Sequence, residues 1–389
     1  MSLSTFPLGY CTNVHPGRTL AEVERGLDRY TVPVLENLGR PIAAGLWLAQ
    51  PVVQELLATP DGVSRFAEAL RRRGLECYTL NAFPYGDFHS ERVKEQVYLP
   101  DWSQPQRLDY TRACARVLAG LLGEAAEGSI STVPLGFKGF EHSADFFERS
   151  IRRLVDLAVD LDRLYAETGK LIRLAIEPEP FCLLETTPET IAFFERLRDR
   201  AADLNRLEVV TRHIGVCYDV CHQAVEFEDV DASIRGLADA GIRINKVHIT
   251  CAIELECPAE NRAGREALAR YAEPRYLHQT LARAPGGQVL RLVDLSGKAA
   301  LEPDAGFLTA ERWRVHFHVP VDVERLGPLG TTRGDLKRAL RAVASLDYAP
   351  HLEVETYTWE VLPDGPAADL VTGLMRELQA THTLLASIE

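Results

Sequence analysis

A strand-like run followed by a helix-like run recurs seven times between Phe6 and Thr250, and that alternation restricts the chain more than any other property it has. The runs are FPLGYCTNVHPG, IAAGLWLAQ, LECYTLNAFP, SISTVPLGFKG, IRLAIEPEP, IGVCYDVCH and RINKVHIT. Helical spacing fills the gaps: Thr19 reads as an N-cap ahead of Leu20, Val23, Leu27, Tyr30 and Val34. Further helices are expected over Val52–Leu57, Gly62–Arg73, Gln104–Leu122, Ala144–Glu167, from Pro188, and over Asp231–Ala240. Strands that alternate with helices pair in parallel, which predicts an α/β architecture. Neither a GxGxxG after the first strand nor a phosphate-binding P-loop is present, so a nucleotide-binding open sheet loses its usual support. The expected fold is a TIM (βα)8 barrel occupying residues 1–389 as one domain.

The order is interrupted after His248, and about a hundred residues pass before the eighth strand, HLEVETYT. This insertion between strands seven and eight is read as a cap, with 251–349 containing it and the last barrel helix region. Its expected parts are a helix over Arg262–Ala282, a turn at Pro285-Gly286-Gly287, and strands VLRLVDL and WRVHFHVPV forming an extra hairpin or an extension over the barrel mouth. Gly330-Thr331-Thr332 then leads into a helix over Asp335–Ser345, and a last helix is expected over Ala367–Leu385.

Barrel active sites gather at the carboxyl ends of the strands. There the chain places Glu177 and Glu179 on strand five, Asp219 and His222 on six, His248 on seven, and Glu353 and Glu355 on eight. A single carboxylate at a strand end is ordinarily a solvated rim charge. Agreement across four neighbouring strands instead points to a divalent metal held by Glu177, Asp219, His248 and Glu355, with Glu353 the competing choice on the last strand. Oxygen ligands with one imidazole suit Mn²⁺, Mg²⁺, Co²⁺ or Zn²⁺. Asn81, His89, Lys94, Lys138, His222 and His318 are the candidate substrate-binding residues; Asn13 and His15 also end strand one. His316 and His318 alternate with Val315 and Phe317 and so point the same way, as a second metal site, a polar lid or a structural pair.

The order LAIEP, YDVCH, KVHIT, LEVE resembles the xylose isomerase-like barrels, which include sugar epimerases, hydroxypyruvate isomerases and endonuclease IV. That resemblance implies Glu177, Asp219, His248 and Glu355 as metal ligands, Glu177 and Glu355 as the catalytic base and acid, and His222 beside the substrate or a second metal. More narrowly, NAFPYGDFHSERVKEQVYLPDW, GSISTVPLGFKG, CYDVCHQAVEFED and HLEVETYTWEVLP resemble the metabolite-traffic EboE family. The implied activity is a metal-dependent sugar phosphate isomerase/epimerase type of reaction on a small sugar-like or hydroxycarbonyl metabolite. The rivals are metal-dependent phosphoester hydrolysis, as in endonuclease IV, and non-catalytic metabolite binding. Partner proteins of the same pathway are implied by the traffic context.

Net charge and hydropathy bound the rest. A charge of −13 without a Lys/Arg-rich block counts against a nucleic-acid partner. No run approaches the ~20 apolar residues of a membrane span, and MSLSTFPLGY has no basic start, so a cytoplasmic location is expected. Eight dispersed cysteines read as buried small hydrophobes rather than a disulfide framework.

Overall fold

The computed structural model describes residues 3, 6–363 and 369–388. Among these, eight strands close a parallel barrel: β1 (Gly9–Cys11), β2 (Ala43–Trp47), β3 (Thr79–Asn81), β4 (Glu127–Thr132), β5 (Leu171–Ile176), β6 (Ile214–Asp219), β7 (Ile244–Ile249) and, after the insertion, β14 (His351–Val354). Apart from the insertion, neighbours in space are neighbours in sequence, and β14 fits between β7 and β1. All seven alternating runs therefore supply barrel strands. A helix over Leu207–His213 just before β6 was not anticipated.

Local chemistry explains the boundaries. Thr19 caps its helix by accepting from the Glu22 amide. Thr186 and Glu189 cap Thr187–Asp203 reciprocally, with Pro188 in the first turn, where its missing N–H costs nothing. The last helix runs over Leu370–Ala386, and Ala367, its expected start, lies outside the described residues. Apolar side chains between the barrel wall and its helices, such as Leu46, Leu174, Val216 and Val247, belong to one buried cluster that also takes in Trp313 and Phe317 of the insertion.

The insertion carries a six-stranded antiparallel sheet whose spatial order by strand is 289–292, 280–283, 312–315, 253–256, 329–331, 325–326. Its strands are β8 (Ile253–Glu256), β9 (Thr280–Arg283), β10 (Val289–Leu292), β11 (Arg312–Val315), β12 (Arg325–Leu326) and β13 (Leu329–Thr331). β8, β12 and β13 were not anticipated, and two further details differ from the sequence reading. The helix expected over Arg262–Ala282 stops at Ala269, because Pro274 cannot continue it, and the run beyond becomes β9. The strand VLRL pairs with β9, not with WRV. Gly286 and Gly287, both at φ 90°, fold the chain back so tightly that Arg283 and Val289 face each other. No helix of the described residues is long and apolar enough to cross a membrane, and all eight cysteines are free.

Candidate metal centre

Strand alternation and register bring the site together. Asp219 and His248 lie opposite each other across β6 and β7, and Glu353 lies opposite His248 across β14 and β7. Glu177 follows the last residue of β5, where its amide still bonds Thr132 O at 3.0 Å. Glu355 lies two residues beyond Glu353 and so faces the same interior. One potential ligand atom each from Glu177, Asp219, His248 and Glu355 falls within 4.8 Å of the others, and all four residues are buried.

His248 holds the centre. Its Nδ1 stands 3.1 Å from Glu177 Oε1, 3.1 Å from Glu355 Oε2 and 3.6 Å from Asp219 Oδ2. Its Nε2 is 3.1 Å from Glu353 Oε2, which itself takes the Lys246 ammonium at 2.6 Å. A carboxylate can only accept, so Nε2 carries a hydrogen for Glu353, and Nδ1 turns to three acidic groups. Burial disfavours the His248 imidazolium, but the Glu177 and Glu355 carboxylates favour it, and its pKa is raised above the ordinary value.

The remaining contacts fix the carboxylates without neutralising them. Glu355 Oε1 accepts from the side-chain amides of Asn13 at 2.8 Å and Asn81 at 2.7 Å. Asp219 Oδ1 accepts from Thr250 Oγ1 at 2.7 Å and from the His222 amide at 3.1 Å. Glu177 Oε2 and Asp219 Oδ2 are buried with no hydrogen-bond partner. Burial pushes Glu355 up to about 7 against the pull of His248. Asp219 moves the other way despite burial, because His222, His318 and His248 surround it.

This arrangement fits a divalent cation. Orphaned buried carboxylate oxygens cost several kcal/mol unless something positive meets them, of order 1–3 kcal/mol each and more when charged. A hard oxygen set with one imidazole, its far nitrogen donating to a second carboxylate, is how metal sites orient their histidine. The geometry assigns Glu355 to the cluster and Glu353 to the layer beneath it.

The other expected residues divide. A cavity at the carboxyl end of the barrel is lined by Asn13, Asn81, Glu177, Glu179, His222 and Glu355 from the barrel, and by Gln279, His316 and His318 from the insertion. The rest of its lining is largely apolar and aromatic, including Phe83, Phe88, Val97, Tyr276, Leu277 and Tyr357. Lys94 lines it too, but its ammonium is held by Tyr276 O at 2.6 Å, Glu273 O and Asp294 at 2.8 Å. Lys138 turns away to Glu185 and Glu189. His89 packs on Trp47 and Phe88, with Nε2 2.8 Å from Asn13 O, outside the cavity lining. His15 is buried against Tyr10, to which it bonds at 3.0 Å.

Glu179 was placed at the end of strand five without a role, and Gln279 was not among the candidates. Glu179 is held by Tyr98 at 2.6 Å and Gln279 at 3.1 Å, and burial pushes it up to about 7 against His222 and Tyr98. Its place beside Glu177 in IEPEP was the signal for it; Gln279 stood inside the run read as a helix, which hid it.

No family model matches the chain, and no curated protein matches it. Solved structures do. An L-ribulose 3-epimerase is similar at TM-score 0.51 and 14% identity, over 100% of this chain and 95% of that one. The IOLI protein, described with a binding zinc atom, is similar at TM-score 0.50 and 12% identity, over 99% of both chains. A xylose isomerase-like TIM barrel protein from Mycobacterium smegmatis in complex with magnesium is similar at TM-score 0.49 and 11% identity, over 100% of both chains. What the chain shares with them is the closed, parallel (βα)8 barrel fold.

Proposed function

We propose that the chain is a metal-dependent isomerase or epimerase of a small hydroxycarbonyl metabolite, working in EboE-type metabolite traffic. The observation that carries this reading is the convergence of Glu177, Asp219, His248 and Glu355, with orphaned oxygens, at the floor of a cavity walled by the insertion. Glu177, Asp219, His248 and Glu355 would hold the cation, which when bound supplies Lewis-acid stabilisation of negative charge on substrate oxygens. The protein side chains do the rest. Glu177 and Glu355 are the base and acid for a proton on the carbon beside the carbonyl, each acting through an oxygen left free. Asn13 and Asn81 hold Glu355 in one orientation. Glu179, its carboxyl pushed up to about 7 by burial, is placed to hydrogen-bond a substrate hydroxyl, and His222, His318 and Asn81 are further substrate contacts.

The aromatic wall and the insertion exclude water, which favours proton transfer over hydrolysis. Lys94 and Lys138 are spent on carbonyls and carboxylates. That supports an uncharged substrate with an apolar flank rather than a sugar phosphate. The EboE-like runs supply the pathway context.

The test is proton exchange. Metal-loaded protein incubated with small ketoses and hydroxyketones in D₂O is expected to place deuterium on the carbon beside the carbonyl, seen by NMR. Glu177→Gln and Glu355→Gln should each slow that exchange at least about 100-fold. Phosphate release from phosphoesters without any exchange would replace this reading with hydrolysis. Tight binding of a metabolite without either reaction would replace it with the carrier reading.

A further inference from the structure

Aromatic rings from three separate segments line the cavity that holds Glu177 and Glu355. Phe88 comes from the loop after β3, Tyr276 from the insertion, and Tyr357 from two residues beyond Glu355. Ring centroids stand 5.0 Å apart for Phe88 and Tyr276, 5.4 Å for Phe88 and Tyr357, and 4.9 Å for Tyr276 and Tyr357. Tyr357 also lies 4.8 Å from the His318 ring, whose Nδ1 is 2.8 Å from Glu355 O, so this corner of rings adjoins the acidic cluster. A second pair, Phe83 and Tyr98, meets at 5.9 Å, with Tyr98 stacked on Phe137 at 4.9 Å. These spacings are those of attractive ring–ring contact, so the rings hold one another in place before anything binds.

The polar groups around them are already used. Tyr276 donates its hydroxyl hydrogen to Phe88 O at 3.1 Å, and Tyr98 donates to Glu179 at 2.6 Å. Gln279 gives its amide hydrogens to Tyr98 and Glu179 and turns its oxygen to His316 Nδ1 at 2.9 Å. Asn13 and Asn81 spend amide hydrogens on Glu355, and the Asn81 oxygen takes the Phe83 amide at 3.0 Å. A free sugar carries a hydroxyl on nearly every carbon, and each one facing these rings would give up bonds to water for none. A planar apolar group loses nothing there and gains ring faces and edges to pack against.

We propose that the substrate is an aryl-substituted hydroxycarbonyl compound. Its oxygens face the four-residue cluster, and its aromatic ring packs against the corner formed by Phe88, Tyr276 and Tyr357. This rests on the metal-dependent reading given above and names the substrate class for that site. Specificity then comes from the loop after β3 and from the insertion, while the barrel strands supply the chemistry.

The competing account is that these rings only pack the loop onto the insertion and that the cavity takes a free sugar. Unreactive diols separate the two without turnover. Full-length protein loaded with Mn²⁺ is titrated by calorimetry with a benzyl-substituted glycol, its cyclohexylmethyl counterpart and xylitol. The benzyl compound is expected to bind at least about 30-fold more tightly than xylitol. It should also bind about 3–10-fold more tightly than the cyclohexylmethyl one, the margin of ring–ring contact over plain apolar burial. Phe88→Leu, checked for native circular dichroism, should bring those last two affinities together. Xylitol bound as tightly as the benzyl glycol would overturn the proposal, as would no binding by any of the three. So would a cyclohexylmethyl glycol that matches the benzyl one in the wild type, or a benzyl preference left whole by Phe88→Leu. Deuterium exchange into benzyl hydroxymethyl ketone, read at its hydroxymethyl carbon above the rate without protein, tests the reaction separately. A benzyl preference without exchange removes the isomerase reading and leaves the aromatic pocket standing. Exchange into free ketoses, with xylitol the preferred ligand, does the reverse.

Discussion

Glu353 and Glu355 sit two residues apart, face the same barrel interior and are both buried, yet their surroundings differ in kind. Glu353 has the Lys246 ammonium at 2.6 Å and the His248 Nε2 hydrogen at 3.1 Å. Glu355 has Glu177 and Asp219 for company and shares one imidazole nitrogen with them. The lower layer is balanced by the chain's own cation. The upper layer is not, and that deficit, rather than the presence of acidic residues, is why we propose it as the place for a metal.

The largest effect should come from breaking the balanced layer. Lys246→Met leaves Glu353 as an uncompensated buried charge and is expected to destabilise the fold by ~3–5 kcal/mol. Adding Glu353→Leu should recover most of that loss. Urea unfolding of the single and double variants reads the difference directly. If the single change proves neutral, Lys246 is not the counter-ion this comparison needs.

The unbalanced layer should respond in the opposite way. Asp219→Ala removes one of three clustered carboxylates, so apo stability should change by no more than ~1 kcal/mol. Mn²⁺ affinity, by contrast, should drop at least about 100-fold by calorimetry. Chelator should lower the wild-type melting temperature and leave that of the variant almost unmoved, because only a bound ligand stabilises by mass action. Retention of a full tight equivalent by the variant would take Asp219 out of the site.

The two layers touch through His248, which sharpens the comparison at lower cost. Glu353→Gln keeps the shape and an oxygen for Nε2–H but removes the charge that raises imidazole basicity. A loss of 10–100-fold in metal affinity is expected, without a change in stoichiometry. Gly45 sets the space for this contact: a Cβ there would stand 1.3 Å from Glu353 Oε1. Gly45→Ala should therefore reproduce the Glu353→Gln affinity loss and add instability. Metal titration of Gly45→Ala with affinity intact would show that Glu353 does not support His248.

How far the sequence could carry this is seen in particular residues. Period-two patterning and strand-end position brought out Glu177, Asp219, His248 and Glu355, because those depend only on local geometry. It could not separate Glu353 from Glu355, since both face inward and the partner, Lys246, lies on another strand. Nor did it find β9, where Pro274 and the tight Gly286-Gly287 turn overrule a helical pattern. Gln279, which sets the tautomer of His316, became visible only once β9 was in place. The ties on Lys94 come from residues 273, 276 and 294, too distant in sequence to be inferred.

The smallest effect concerns a third buried carboxylate that neither layer contains. Glu377, on the last helix, accepts from the Val321 amide at 3.1 Å, Thr356 Oγ1 at 2.6 Å and Trp359 Nε1 at 2.9 Å. It thus ties the segment after His318 to the segment after Glu355, using neutral donors where Glu353 uses a cation. Burial pushes it up to about 7 against those hydrogen bonds, with Asp322 adding to the rise. A carboxyl near 4.3 in the unfolded chain and about 7 in the folded one binds its proton longer when folded. Its stabilising share is therefore full below about pH 4.5 and lost as pH rises towards 7, at most ~1–3 kcal/mol. Glu377→Gln cannot titrate, and its NH₂ would face the Trp359 N–H, so it should be less stable by ~1 kcal/mol at pH 5. Between pH 5 and 8 the gap to the wild type should then narrow, measured by urea unfolding with chelator present throughout. A gap that widens instead would mean that the three donors hold the ionised form, making neutral dipoles as good a partner for a buried carboxylate here as the Lys246 ammonium.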